Sequence, residues 1–196
     1  MKGLRYIYLI LLSLLPILLS SQHKDIKFQR LTVDNGLSQS WVRCIMQDNL
    51  GFIWIGTDNG LNRYDGYNFV VYKQNIYDSN TLSGSSIMSI YEDREDNLWV
   101  GTYTGLNLYN RSLDKFIHLN EWPDSIIKSI IEDDKKNIII CSGNSLFNYN
   151  SGTKQISEIV RLNQLLRENS CDISKVIIDR NQNIWITTLN KGLLLW

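Results

Sequence analysis

Apolar residues recur along this chain in runs of strand length, each closed by a cluster of Asp, Asn, Gly or Ser. The run Trp41 to Gln47 reads as a strand, the Asp48-Asn49-Leu50-Gly51 cluster as a turn, and Phe52 to Thr57 as a second strand. Asp58-Asn59-Gly60 reads as a hairpin turn, followed by strands at Leu61 to Tyr64 and Asn68 to Lys73. In the second of these strands both alternating faces are apolar, which predicts a strand covered on both sides rather than one with a wet face.

The unit repeats. Trp54, Trp99 and Trp185 each follow an Asp by six residues, at Asp48, Asp93 and Asp179, and a fourth copy has Asp133 followed by Ile139. From Trp54 to Trp99 to Ile139 to Trp185 the spacings are 45, 40 and 46 residues. Each copy continues into a Gly-Leu or Ser-Leu pair and an aromatic: Gly60-Leu61 with Tyr64, Gly105-Leu106 with Tyr109, Ser145-Leu146 with Tyr149, and Gly192-Leu193 with Trp196. A period of about 43 residues with four strands per unit predicts an all-β chain built as a partial β-propeller of about four four-stranded blades. The blades are expected at approximately 38–74, 84–119, 125–160 and 172–196 within a repeat region 22–196. Lys27 to Leu31 matches the fourth-strand sequence Lys115 to Leu119 and is expected either to close a four-bladed ring or to belong to a larger one. The larger ring, with this chain as a fragment, is the favoured expectation, and it predicts self-association through open blade faces. Gly60, Gly105 and Gly192 are expected to supply a positive φ, and Gly56 and Gly101 to leave room beside Trp.

The 196 residues, 43% of them hydrophobic, suffice for a core. Lys plus Arg and Asp plus Glu each total 20, so charge offers no reason to expect nucleic acid as a partner. Residues 1–21 have the layout of a signal peptide: Lys2 and Arg5, an apolar run from Ile7 to Leu19, then Ser20 and Ser21. The run is short for a membrane span and contains Pro16, so a cleaved leader and a periplasmic or secreted location are expected, with an uncleaved inner-membrane anchor as the alternative. Cys44, Cys141 and Cys171 lack the spacing of a disulfide framework or a zinc site; the first two read as core residues and Cys171, near a loop, as a free thiol.

Two runs carry a resemblance. Gln47 to Gly66 (QDNLGFIWIGTDNGLNRYDG) and Glu92 to Leu106 (EDREDNLWVGTYTGL) resemble the two-component regulator propeller repeat. Leu31 to Ser38 (LTVDNGLS) resembles the start of the periplasmic sensor region of Bacteroidetes-type hybrid two-component systems. The third copy departs from the repeat, lacking both the Trp and the Gly-Thr pair. The resemblance implies a longer protein with further blades, a membrane helix, a histidine kinase, a receiver and DNA-binding parts, and a propeller that responds to glycan-derived ligands.

Catalytic machinery is not expected. His23 and His118 are the only histidines, which is too few for the acid and base of a lyase-like propeller enzyme, the rival reading; an inactive gene remnant is the third. The acidic turns at Asp93 to Asn97 and Asp133-Asp134 lack the ligand alternation of a calcium loop and read as turn-capping residues, so neither a metal nor a cofactor is expected. Trp54, Trp99, Ile139 and Trp185 occupy the structural repeat position. Aromatics outside that register include Tyr77, Tyr103 and Trp122, which fall in connections expected to share one face of the disc; they are the candidate ligand contacts, with an oligosaccharide as the expected partner.

Overall fold

The structure, a computed structural model, describes residues 27–119, 126–167 and 171–196. The leader at 1–21 and Trp122 lie outside the described residues. The chain divides into two compact units, Met1–Arg30 and Leu31–Trp196. Of the first, only residues 27–30 are described, and they form no regular element.

The second unit is all-β apart from a 3-10 turn at Val33–Asn35 and a short helix α1 (Leu162–Leu166). The first blade holds β1 (Val42–Gln47), β2 (Ile53–Thr57), β3 (Gly60–Tyr64) and β4 (Phe69–Tyr72). The second holds β5 (Ile87–Glu92), β6 (Leu98–Thr102), β7 (Leu106–Asn110) and β8 (Lys115–His118). The third holds β9 (Ile127–Glu132), β10 (Ile138–Ser142), β11 (Ser145–Asn150) and β12 (Gln155–Arg161), and the fourth β13 (Ile173–Ile178), β14 (Ile184–Thr188) and β15 (Leu193–Leu195). Every sheet runs in sequence order with antiparallel neighbours. Lys27 to Leu31, weighed above as a closing strand, is in no strand, and Phe28 is exposed; the fourth sheet ends at β15.

Repetition is exact enough to extend to irregularities. The first two strands of every blade pair through the same register shift, between Val42 and Cys44, Ile87 and Ser89, Cys141 and Ser142, and Ile173 and Lys175. Trp54, Trp99, Ile139 and Trp185 face Met46, Tyr91, Ile131 and Ile177 at one common ladder position.

Burial follows from stacking. The second strands β6 and β10 are buried at all five positions because a neighbouring blade covers each face, whereas the outermost β4 and β12 carry many exposed residues. Ile45 in β1 is 68% exposed, while its counterparts Ile130 and Val176 are 4% and 1% exposed. The sides of the first blade and the fourth that face away from the other blades are therefore bare, and Ile177, exposed on the fourth, is the converse case.

Close approach between blades sets the glycine positions. A Cβ on Gly56 would stand 2.7 Å from Ile87 Cγ2, and one on Gly101 would stand 2.6 Å from Ile127 Cγ2. The space that these glycines leave is thus taken by Cys44 or Ser89 of the same blade's first strand together with the first strand of the next blade, not by the Trp beside which the sequence had placed it. Gly60 and Gly105 adopt φ of 130° and 153° in the turns between the second and third strands, as expected.

Candidate functional site

The spacing of six between Asp and Trp has a direct cause. The Asp48 carboxylate accepts the Trp54 Nε1–H at 2.7 Å, together with the backbone N–H groups of Leu50 and Phe52. Asp93 repeats this with Trp99 at 2.7 Å, and Asp179 with Trp185 at 2.9 Å. One carboxylate therefore closes the turn and satisfies the one polar atom of a buried indole. Asp133 caps its own turn through the N–H groups of Lys135 and Asn137, but Ile139 offers it no indole.

A second carboxylate, immediately before Asp in the second and third copies, joins the blades. Glu92 accepts from the Asn49 N–H of the first blade at 2.8 Å, and Glu132 from the Arg94 N–H of the second at 3.0 Å. Gln182 takes this part for the Asp134 N–H. Arg111 bridges Asp48 and Glu92 at 2.8 and 2.5 Å. Although burial opposes the charged form of Asp48, the hydrogen bonds from Trp54 and Arg111 hold its carboxyl below its ordinary value. The acidic turns thus spend their oxygens on backbone, indole and guanidinium donors, and no group of three or more metal-ligating side chains gathers among the described residues. Sequence reasoning missed Arg111 and the interblade task of Glu92 and Glu132, and the recurring Glu-Asp pair was the only visible signal.

Asp179 makes a pH test available. Its carboxyl is held down to about 2, against an ordinary 3.8, first by the Trp185 indole N–H and next by the Asn183 amide. A depressed folded value means that its contribution is complete above pH 3.8 and is lost as pH falls towards 2. Acid unfolding of the wild type should therefore steepen across that window, and Asp179→Asn should flatten it; superimposable acid titrations of the two proteins would contradict this role.

The connections after the fourth strand and between the second and third strands meet on one face, as expected. Gly60 N–H donates to Ser85 O at 2.7 Å, Tyr103 N–H to Ser86 O at 3.0 Å and Leu189 N–H to Asp172 O at 2.8 Å. On this face the 73–86 connection forms a cleft of about 720 Å³ lined by Gln74, Asn75, Tyr77, Asp78, Thr104 and His118, among others. Its shape is held locally: Asn75 N–H donates to Thr81 Oγ1 at 2.8 Å, Asp78 accepts from Asn80 N–H at 3.0 Å, and Phe116 N–H ties Asn80 O to β8 at 2.8 Å. Tyr77 stands on the cleft wall, 92% exposed. Tyr103 is exposed beside Thr104 but is not among the lining residues. The polar wall of Gln74, Asn75 and Asp78 was not singled out from sequence, because its residues look like ordinary turn formers.

His118 lines the same cleft, with its Nε2 donating to the Thr81 carbonyl. Burial pushes the thiols of Cys44 and Cys141 up to about 12, in keeping with core positions. Cys171, expected near a loop, is fully buried in the core cluster with Leu162 and Ile173, because the chain packs inward just before β13.

Three comparisons bear on this architecture. Residues 36–59 and 81–104 match the two component regulator propeller family. Histidine kinase P4 of Formosa agariphila is 42% identical over 79 residues, which are 40% of this chain and 6% of the kinase. The extracellular domain of the hybrid two component system BT4673 from B. thetaiotaomicron superposes with a TM-score of 0.72 at 24% identity, covering 86% of this chain and 23% of that one. A catalytically inactive virginiamycin B lyase from Staphylococcus aureus shares the fold at a TM-score of 0.62 and 15% identity, over 87% of this chain and 59% of the lyase. The chain therefore spans a small part of the kinase and of the extracellular domain that it resembles.

Each matched segment holds a Leu-Ser pair, Leu37-Ser38 or Leu82-Ser83, and ends in the turn after the second strand, and its Ser bonds to an Asn of the third strand just beyond the match. Ser38 N–H donates to Asn62 Oδ1 and Ser83 N–H to Asn107 Oδ1, both at 2.8 Å. With that Ser-to-Asn bond, the Asp-to-indole bond and the four-stranded sheets all in place, the first two blades carry the segments that are similar to two component regulator propeller repeats.

Proposed function

We propose that this chain is a ligand-sensing part of an exported propeller in a two-component regulatory system, and that it recognises oligosaccharides derived from glycans. The observation that carries the reading is the cleft beside Tyr77: an exposed aromatic ring next to amide and carboxylate groups. An aromatic face stacks on the apolar face of a sugar ring, while the side chains of Gln74, Asn75 and Asp78 offer partners for its hydroxyls. The likeness to extracellular domains of hybrid two-component systems supports the sensing role and a location outside the cytoplasm. Among the described residues no helix is long and apolar enough to cross a membrane. Kinase activity and membrane passage belong, in this proposal, to other parts of a longer protein, whose further blades would cover the bare faces at Ile45 and Ile177. Without them the chain is expected to self-associate.

Tyr77→Ala tests the reading, since an exposed ring contributes little to folding. Calorimetric titration against plant and host oligosaccharides should find at least one ligand whose affinity falls about tenfold, or about 1.4 kcal/mol, in this variant, with the melting temperature unchanged. A well-folded sample silent to the whole panel would count against the sensing role. The lyase-like alternative would have to draw on His118, so a wild-type protein that binds a ligand with no bond cleavage detected would speak for binding alone, and cleavage lost in His118→Gln would speak for the enzyme.

A further inference from the structure

The repeat accounts for Trp54 and Asp48 but not for the outer part of the junction between the first two blades. Arg63 stands opposite Trp54 in β3, where the second blade has Leu108 opposite Trp99. Tyr72 stands opposite Leu61 in β4, where the second blade has Leu119 bonded to Leu106. Asp114 leads into β8 with φ of 52°, where the third blade has Lys154 with φ of 57° before β12. These departures from the repeat meet one another. The Tyr72 hydroxyl donates to Asp114 Oδ1 at 2.7 Å and the Tyr109 hydroxyl to the same oxygen at 2.5 Å. Arg63 Nη1 donates to the Tyr109 hydroxyl at 3.0 Å and lies 3.8 Å from Asp114 Oδ1. The Tyr109 hydroxyl, first, holds the Asp114 carboxyl below its ordinary value, and the charge of Asp114 is matched by Arg63.

This network borders a groove of about 330 Å³ between β4 and β8, lined by Val71, Tyr72, Lys73, Asp114, Lys115 and Phe116, among others. Every lining residue belongs to the first two blades or to the connection between them. Lys73 comes from the end of β4 and Lys115 from the start of β8; both are exposed, and neither forms an ion pair or a side-chain hydrogen bond among the described residues. With Asp114 matched by Arg63, the lining sets these two ammonium groups against the carboxylate of Asp78, whose Oδ1 already accepts from the Asn80 N–H and side-chain amide at 3.0 and 2.9 Å. Lys115 acts on the charge of Asp78, which leaves Lys73 with no counter-charge in the groove. The groove therefore combines an excess of cationic donors with the apolar surfaces of Val71 and Tyr72.

We propose that the groove between β4 and β8 binds a small organic acid, a carboxylate on an apolar body of about the size of a benzene ring. The carboxylate sits between the Lys73 and Lys115 ammonium groups, and the body lies against Val71 and Tyr72. Size permits this, since a cavity of about 150 Å³ already suffices for benzene in another protein. The groove meets the Tyr77 cleft only at Asp78 and does not rest on the sugar-binding proposal.

Benzoate is the probe, titrated into the full chain at low ionic strength and followed by calorimetry. Saturable binding is expected, and it should weaken as salt is added, because the ammonium groups are close to solvent. Benzamide keeps the shape and lacks the charge, so it should bind about tenfold more weakly. Lys73→Gln and Lys115→Gln should each weaken benzoate about threefold, as for an exposed ion pair, with the melting temperature unchanged. The double variant should also lose the salt dependence, which a purely structural part for these lysines would not alter. Inorganic sulfate has the charge without the body and should displace benzoate poorly. Absence of saturable binding, equal affinity for benzamide and benzoate, an undiminished benzoate response in the double variant, or displacement by equimolar sulfate would each overturn the site.

Discussion

Replacing Trp99 by Ala is expected to lower stability by about 3–5 kcal/mol, the range for removing a large buried aromatic and leaving a cavity. Trp99 is 2% exposed and packs edge-on against Tyr149 of the next blade, so the loss reaches two blades. It also strips Asp93 of its indole donor, adding the cost of an under-satisfied buried carboxylate. Against a typical total of about 5–15 kcal/mol, this is a large share of the stability. Urea titration followed by circular dichroism and by Trp fluorescence measures it. Trp99→Phe should recover the packing but not the hydrogen bond, and so fall between the two; a Trp99→Ala midpoint equal to the wild type would show that the indole is not the keystone of the blade.

Arg111→Ala is expected to be nearly as damaging, although Arg111 sits in no strand. The Asp48 side chain is 0% exposed and that of Glu92 7% exposed, and both lean on this one guanidinium. Breaking a buried ion pair from one side costs about 3–5 kcal/mol because the remaining charges stay uncompensated. Arg111 keeps 23% of its side chain in solvent, so the lower end, about 3 kcal/mol, is expected. Since it spans two blades, the loss should appear as separation of the first blade from the second, read as faster hydrogen exchange in β1 and β2. A double-mutant cycle with Asp48→Ala should return a coupling of about 1 kcal/mol or more, and additivity would show the bridge to be incidental.

Several features of this protein were legible without coordinates. Recurrence of Trp54, Trp99, Ile139 and Trp185 after an Asp at one spacing, with apolar residues on both faces of the second strand, required a sheet covered on both sides and repeated. Strand boundaries followed to within a residue, since local turn chemistry at Asp48-Asn49-Leu50-Gly51 and Asp58-Asn59-Gly60 sets them. The connections that carry Tyr77 and Tyr103 fall on one face because an antiparallel sheet alternates its connections.

What needed the tertiary structure were relations between blades, which lie about 40 residues apart in sequence and leave no local trace. Gly101 looked like an accommodation to its neighbouring Trp, whereas Ser89 of its own blade and Ile127 of the next are what crowd it. Cys171 lies near a loop in sequence, yet it is buried in a cluster with residues of the third blade. Local hydrogen bonding is written in adjacent residues and so can be read directly; packing between distant strands depends on where the backbone brings them, and that is decided when the blades fold against one another.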